Sequence, residues 1–259
     1  MKHALRQRID KYKPLIGTFC GITSPSVVEI LGGVGLDFVL IDAEHSQIGR
    51  SEIEGLVRAG DVVNLPVLVR VPTHEGDWIG SALDAGAAGV VVPRIGTASQ
   101  ARRAVAAARY APEGDRGCGP GRATRYGQRL PEYLQSANAN VLVALQIETA
   151  EGVANINEVL AVPGIDVIFV GPGDLALSLQ SVGPAGKAKL DAAIATIVEA
   201  CHAHAVNIGI FHMNMTEIAA SVARGISFIV AAADTLFLQR GIAAAKVEMG
   251  NTRPQVEAV

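Results

Sequence analysis

The stretch Val141-Leu-Val-Ala-Leu-Gln-Ile-Glu148 settles the architecture. Its first five residues are all apolar, rich in β-branched side chains, and too few for a helix that must cover a core. Such runs are strands buried on both faces, the mark of a parallel sheet sheathed by helices. The end of the stretch is as informative as its start. Gln146 and Glu148 are two apart, so they share one face of the strand.

The pattern recurs on either side. Strands are expected at 15–20, 37–41, 66–70, 89–92, 141–147, 166–170, 207–211 and 227–231. Helices are expected at 24–34, 51–62, 76–86, 98–109, 151–161, 187–204, 216–224 and 235–248. Eight βα repeats in 259 residues predict one α/β domain, 1–259, folded as a single (β/α)8 TIM barrel. The competing architecture, an open doubly wound sheet, carries a Gly-rich dinucleotide turn after its first strand. Cys20-Gly-Ile-Thr-Ser-Pro25 does not match one. One connection, from about 110 to 140, is long and holds Gly114, Gly117, Gly119, Gly121 and four arginines before a short helix expected near Pro131–Asn138. A loop of that length inside a compact domain is expected to be functional.

Composition narrows the function. The chain is 49% hydrophobic but only 4% aromatic, so small aliphatic residues fill its interior. With 18% charged residues and a net charge of -3, it has no electrostatic footprint for nucleic acid or an anionic membrane surface. Cys20, Cys118 and Cys201 are odd in number and widely spaced, which argues against a disulfide framework or zinc knuckle. The N-terminus lacks the apolar core of a signal peptide, and no run approaches the roughly 20 residues of a membrane span. A soluble cytoplasmic protein acting on small molecules is expected.

In such a barrel the chemistry sits at the C-terminal ends of the strands. Here those ends read Asp42-Ala-Glu-His45, Arg70, Gln146-Ile-Glu148 and Gly171-Pro-Gly-Asp174. Glu148 and Asp174 follow neighbouring strands, which run about 4.8 Å apart, and two carboxylates that close repel unless a cation or proton lies between them. With no Cys or His at ligand spacing, the donors are hard oxygens, suited to Mg2+ or Mn2+. The alternative is that both acids merely cap the following helices. Arg70 closes an apolar strand and should point into the mouth, to bind a carboxylate, to stabilise an oxyanion, or to pair with one of the acids. His45 suits proton transfer near neutral pH. His74 and His212 could also line the mouth, while His202 and His204 are expected at the surface. The Gly171–Asp174 turn offers free amides to a carboxylate. Gly117-Cys-Gly-Pro-Gly121 lacks the ending of a phosphate loop. No lysine ends a strand, which argues against a Schiff-base enzyme.

Taken together, Phe38-Val-Leu-Ile-Asp-Ala-Glu-His45, Pro66-Val-Leu-Val-Arg70, Val90-Val-Val-Pro93, Arg116-Gly-Cys-Gly, Arg122-Ala-Thr-Arg-Tyr-Gly127, Gln146-Ile-Glu148 and Gly171-Pro-Gly-Asp-Leu175 resemble the HpcH/HpaI aldolase family of metal-dependent pyruvate aldolases. The resemblance runs from about residue 15 to 245. It implies reversible cleavage of a 4-hydroxy-2-oxo acid into pyruvate and an aldehyde, with Mg2+, Mn2+ or Co2+ as cofactor. It also implies roles. Glu148 and Asp174 would hold the metal, Gln146 would contact substrate there, and the amides of Gly173 and Asp174 would hold the pyruvate carboxylate. His45 would be the base and Arg70 would stabilise the enolate oxygen. Asp84 would raise the basicity of His45, with Asp42 a secondary candidate, although by position alone Asp84 reads as a surface residue at a helix end. A homo-oligomer, often a hexamer with sites near subunit contacts, is implied as well. Two departures stand out: Phe19 where a tryptophan is frequent, and GPGD where GPAD is frequent. A CoA-ester lyase of the citrate lyase β type shares these carboxylates and stays open as an alternative, as does a catalytically silent binding barrel.

Overall fold

The computed structural model describes residues 5–9 and 13–252. Eight parallel strands close into a barrel in chain order: β1 (Leu15–Cys20), β2 (Phe38–Asp42), β3 (Val67–Arg70), β4 (Gly89–Val92), β5 (Leu142–Ile147), β6 (Val167–Val170), β7 (Asn207–His212) and β8 (Phe228–Ala233). The expected strands are all present, displaced by a residue or two at their ends.

Alternation along each strand divides the barrel into two cores. Val39, Ile41, Val67, Val69, Val90, Val92, Val143 and Leu145 face outward and pack under the helices. Leu15, Phe19, Phe38, Leu40, Leu68, Val91, Leu142, Ala144 and Phe169 fill the inside. The interior is crowded enough to restrict the backbone. Gly17 faces the Phe38 ring, and a Cβ there would lie 2.4 Å from it, so β1 can pass only as glycine. Phe38 stacks on Phe228 with centroids 4.4 Å apart, and Phe169 meets Phe228 edge-on.

The helices depart from expectation in several places, three of them around the later repeats. The expected helix 151–161 breaks into Ala150–Ala154 and Ile156–Leu160, because the Asn155 side chain donates to the Gly96 carbonyl (2.8 Å) in the loop after β4. A separate short helix, Pro172–Ser178, precedes the long one at Lys187–Ala203. A 3-10 turn, Met215–Glu217, takes the start of the expected 216–224 helix, leaving Ile218–Ala223. Among the described residues, no helix is long and apolar enough to cross a membrane.

The N-terminal end of the barrel is closed by a plug and a charge network. Leu5, fully buried, belongs to the interior core. Arg6 Nε donates to Asp166 Oδ1 (2.6 Å), and Arg109 donates to Asp166 Oδ2 (2.9 Å) and to the carbonyl of Val141 (2.7 Å). Arg109 is 1% exposed, so its charge is tolerable only while these acceptors surround it. Arg109→Ala should therefore cost about 3–5 kcal/mol of stability in urea unfolding, as expected when one member of a buried ion pair is removed. Arg6→Ala, at the more exposed partner, should cost no more than about 1 kcal/mol. Equal losses in the two variants would contradict this account of the barrel floor.

Candidate active site

Strand parity carries the polar residues to the mouth. Asp42 continues the inward face of Phe38 and Leu40, Arg70 that of Leu68, and Gln146 that of Leu142 and Ala144. Asp42 and Arg70 are register partners across β2 and β3. Arg70 donates from Nε to Asp42 Oδ1 (2.9 Å) and from Nη2 to Asp42 Oδ2 (2.7 Å), a two-pronged pair that is largely buried. The Phe19 ring lies under the guanidinium, 4.4 Å from Cζ to centroid. Asp42 Oδ1 also accepts the backbone N–H of Glu44 (3.1 Å) and of His45 (3.2 Å), which folds the chain back over the strand end.

That turn makes Glu44 a hub. Its carboxylate lies 3.5 Å from Arg70 Nε, 3.6 Å from Arg94 Nε and 3.7 Å from His45 Nε2. The side chain is 6% exposed, and Oε2 has no hydrogen-bond partner among the described residues. Burial pushes the Glu44 carboxyl above the usual carboxylate range and the Glu148 charge adds to this, against the pull of Arg70, His45 and Arg94. Sequence reasoning passed over Glu44. The signal was its spacing of two from Asp42, which continues the inward parity past the end of the strand.

Glu148 is buried and each of its oxygens meets a donor: Gln146 Nε2 at Oε2, and the backbone N–H of Arg94 at Oε1 (2.8 Å). Gln146 Oε1 is buried with no hydrogen-bond partner among the described residues. Gly171 faces this pair, and a Cβ there would lie 2.9 Å from Glu148 Oε2 and 3.0 Å from Gln146 Nε2. Asp174 lies exposed in the first turn of Pro172–Ser178, the helix that follows β6, and β6 is the neighbour of β5, which Glu148 follows. The amides of Gly173 and Asp174 in that turn have no intramolecular acceptor among the described residues. His45 is exposed at the rim.

The structure does not bring every candidate together. Asp84 is the last residue of the helix Gly76–Asp84, which runs back down from the mouth, so it lies at the opposite end of the barrel from His45. There it accepts from Arg116 Nη2 (2.7 Å) and packs against Gly121. The long Gly- and Arg-rich connection shares that far end, with Arg122 bound to the Ala85 carbonyl and to Asp61. Within one chain it does not reach the mouth. A cavity of about 950 Å³ opens beside it, lined by Arg58, Arg122, Arg129 and Tyr133, and it is remote from the C-terminal ends of the strands. His212 turns outward, in step with Ile208 and Ile210, and pairs with Ser221 (2.7 Å) and Glu217 (3.1 Å). His202 and His204 are exposed as expected.

Breaking a carbon–carbon bond next to a carbonyl without an amine nucleophile calls for a proton acceptor and fixed positive charge, and this mouth offers both. Comparison with known proteins agrees, and the protein is a lyase of the aldolase type. The chain belongs to the HpcH/HpaI aldolase/citrate lyase family, whose model matches residues 15–240. It is 37% identical to a hydroxypyruvate/pyruvate aldolase of Paraburkholderia phytofirmans, over 91% of this chain and 93% of that one. It is 33% identical to a 4-hydroxy-2-oxo-heptane-1,7-dioate aldolase of Salmonella typhimurium, over 96% of this chain and 95% of that one. A crystal structure of a family member from Burkholderia cenocepacia superposes with a TM-score of 0.90 at 35% identity, over 95% of this chain and 98% of that one.

Glu44 yields a pH prediction. Its folded-state pKa is raised, so the folded protein holds this proton more tightly than the unfolded chain. The associated stability is present below the ordinary carboxylate pKa and is lost as pH rises through the folded value. In chelator-treated protein, wild type should therefore lose stability relative to Glu44→Gln as pH rises from about 4.5, by at most about 1.4 kcal/mol per pH unit. Urea midpoints at several pH values measure it, and a difference that grows in the opposite sense would refute the buried-acid account.

Proposed function

We propose that the protein reversibly cleaves a 4-hydroxy-2-oxo acid into pyruvate and an aldehyde, with a divalent cation held by Glu148 and Asp174. The observation that carries this reading is the buried Glu148 carboxylate, held by two donors beside the unpartnered Gln146 Oε1. These groups and Asp174 make an all-oxygen donor set that fits Mg2+, Mn2+ or Co2+. Among the described residues, no three His, Cys, Asp or Glu side chains form a ready-made cluster, so two carboxylates would leave the remaining positions to water and substrate. When bound, such a cation polarises the 2-oxo group and balances the charge of the enolate.

The chain's own residues supply the rest. The free amides of Gly173 and Asp174 receive the pyruvate carboxylate, and the Gln146 amide faces the same half of the substrate. His45 takes the proton of the 4-hydroxyl. The C3–C4 bond then breaks, its electron pair passing into the enolate, and the aldehyde departs. Arg70 holds its guanidinium toward the enolate oxygen, using donors that Asp42 does not occupy, and Glu44 stabilises the imidazolium that His45 becomes. In the synthetic direction the same proton returns to the new alkoxide. Fixed positive charge of this kind, set in place before the reaction, is typically worth about 3 kcal/mol per donor.

We further propose a cytoplasmic homo-oligomer, in keeping with a hexamer. The last helix, Asp234–Thr252, exposes Leu238, Ile242, Val247 and Met249, which a second copy could cover. Asp84 then has a route to His45. Standing at the far end of its own barrel, it can support the histidine only across a subunit contact.

Two outcomes test the proposal. Exhaustive chelation should abolish pyruvate release from hydroxy-oxo acids, and Mg2+, Mn2+ or Co2+ should restore it. Arg70→Ala should depress both cleavage and C3 proton exchange of pyruvate, with Arg70→Lys recovering only part. Full activity in metal-free protein, or unchanged exchange in Arg70→Ala, would defeat the respective assignments. Separately, His45→Ala should lose about 10²–10⁴-fold in cleavage rate. Co-refolding His45→Ala with an impaired Asp84→Ala should regain activity, because mixed assemblies contain sites with both groups. Mixtures no better than the average of their parents would place any role of Asp84 within one chain.

A further inference from the structure

Arg94 follows β4 at the mouth and holds a backbone conformation that L residues seldom adopt, with φ 56°. Such strain persists where surrounding structure imposes it, and it gathers at functional sites. Here its use is visible, since the conformation aims the Arg94 amide at Glu148 Oε1, 2.8 Å away. That contact involves the main chain alone.

The side chain is a separate matter. It is 69% exposed, and among the described residues its guanidinium makes no hydrogen bond. The nearest charge is Glu44 Oε1, 3.6 Å from Nε, and Glu44 divides its charge among Arg70, His45 and Arg94. Arg70 is the opposite case, 9% exposed with two donors on Asp42. The mouth thus holds two cations in different conditions, one buried and committed, the other at the rim and uncommitted. Because the Arg94 amide is pinned to Glu148, its guanidinium ranges within one side-chain length of the centre of the site. A short carbon chain extending from the reacting carbons spans that distance.

We propose that Arg94 reads the far end of the aldehyde half, binding a terminal carboxylate there and selecting hydroxy-oxo diacids over their neutral counterparts. The inference rests on the aldol reading above. The planar guanidinium matches a carboxylate with two parallel donors, a better partner than the loose contact with Glu44. A diacid substrate would displace that contact.

The test compares kcat/KM for a 4-hydroxy-2-oxo diacid with that for a neutral analogue of the same chain length, in wild type, Arg94→Ala and Arg94→Lys. The ratio is the readout, and it cancels any loss of folded enzyme. Wild type should prefer the diacid. Arg94→Ala should lower the diacid-to-neutral ratio by about 10- to 100-fold, chiefly through KM, and Arg94→Lys should restore part of it. An unchanged ratio in Arg94→Ala, or no preference in wild type, overturns the proposal while leaving the aldol reading intact. Failure of wild type both to cleave hydroxy-oxo acids and to exchange pyruvate C3 protons overturns the aldol reading, and this proposal with it.

Discussion

The Asp42 carboxylate meets four donors at once: two from the Arg70 guanidinium and the amides of Glu44 and His45. Two charges in a largely buried place would be costly alone, and each is made tolerable by the other. The pair also sits in register across neighbouring strands, so it ties the top of β2 to the top of β3. From it follow the fold of the turn after β2, the inward course of Glu44 and the station of His45 at the rim. Phe19 beneath the guanidinium limits how far Arg70 can swing. The atoms that tie the two strands together are therefore the ones to which the proposed chemistry assigns the enolate oxygen, and a substitution at Arg70 bears on the fold of the mouth as well.

The barrel was legible because buried parallel strands are nearly continuous apolar runs, and eight of them leave little else to build. The mouth was legible for a related reason: inward parity along β2, β3 and β5 fixes where Asp42, Arg70, Gln146 and Glu148 point. Glu44 was missed because strand reasoning stopped at the strand's end, while the inward parity continued two residues further. Arg94 was missed because nothing in its residue type announces a left-handed backbone. Its contact with Glu148 is made by the main chain, which a residue pattern does not record. The outward turn of His212 lay within reach of sequence, since Ile208 and Ile210 mark its face.

A (β/α)8 barrel has direction, and residues that a linear motif groups together can end at opposite poles. Helices that follow strands run back from the mouth, so a residue at the end of such a helix, like Asp84, belongs to the floor. The Gly- and Arg-rich connection enters from the C-terminus of Ala98–Ala108 and stays at that pole. A family motif there and a family motif at the mouth therefore describe two surfaces of one chain. If both serve one reaction, the meeting point lies between chains.

The contact between the Arg94 amide and Glu148 has a consequence for how this enzyme can change. Every residue except proline brings the same N–H, so the wiring of Glu148 is indifferent to which side chain stands at 94. The left-handed backbone is nearly as awkward for one L residue as for another, with asparagine and glycine the easiest. The position is thus a slot whose backbone is fixed by its contact with Glu148 and whose side chain is exchangeable. A lineage could retune what it accepts at the rim by single substitutions there, leaving the inner apparatus as it found it.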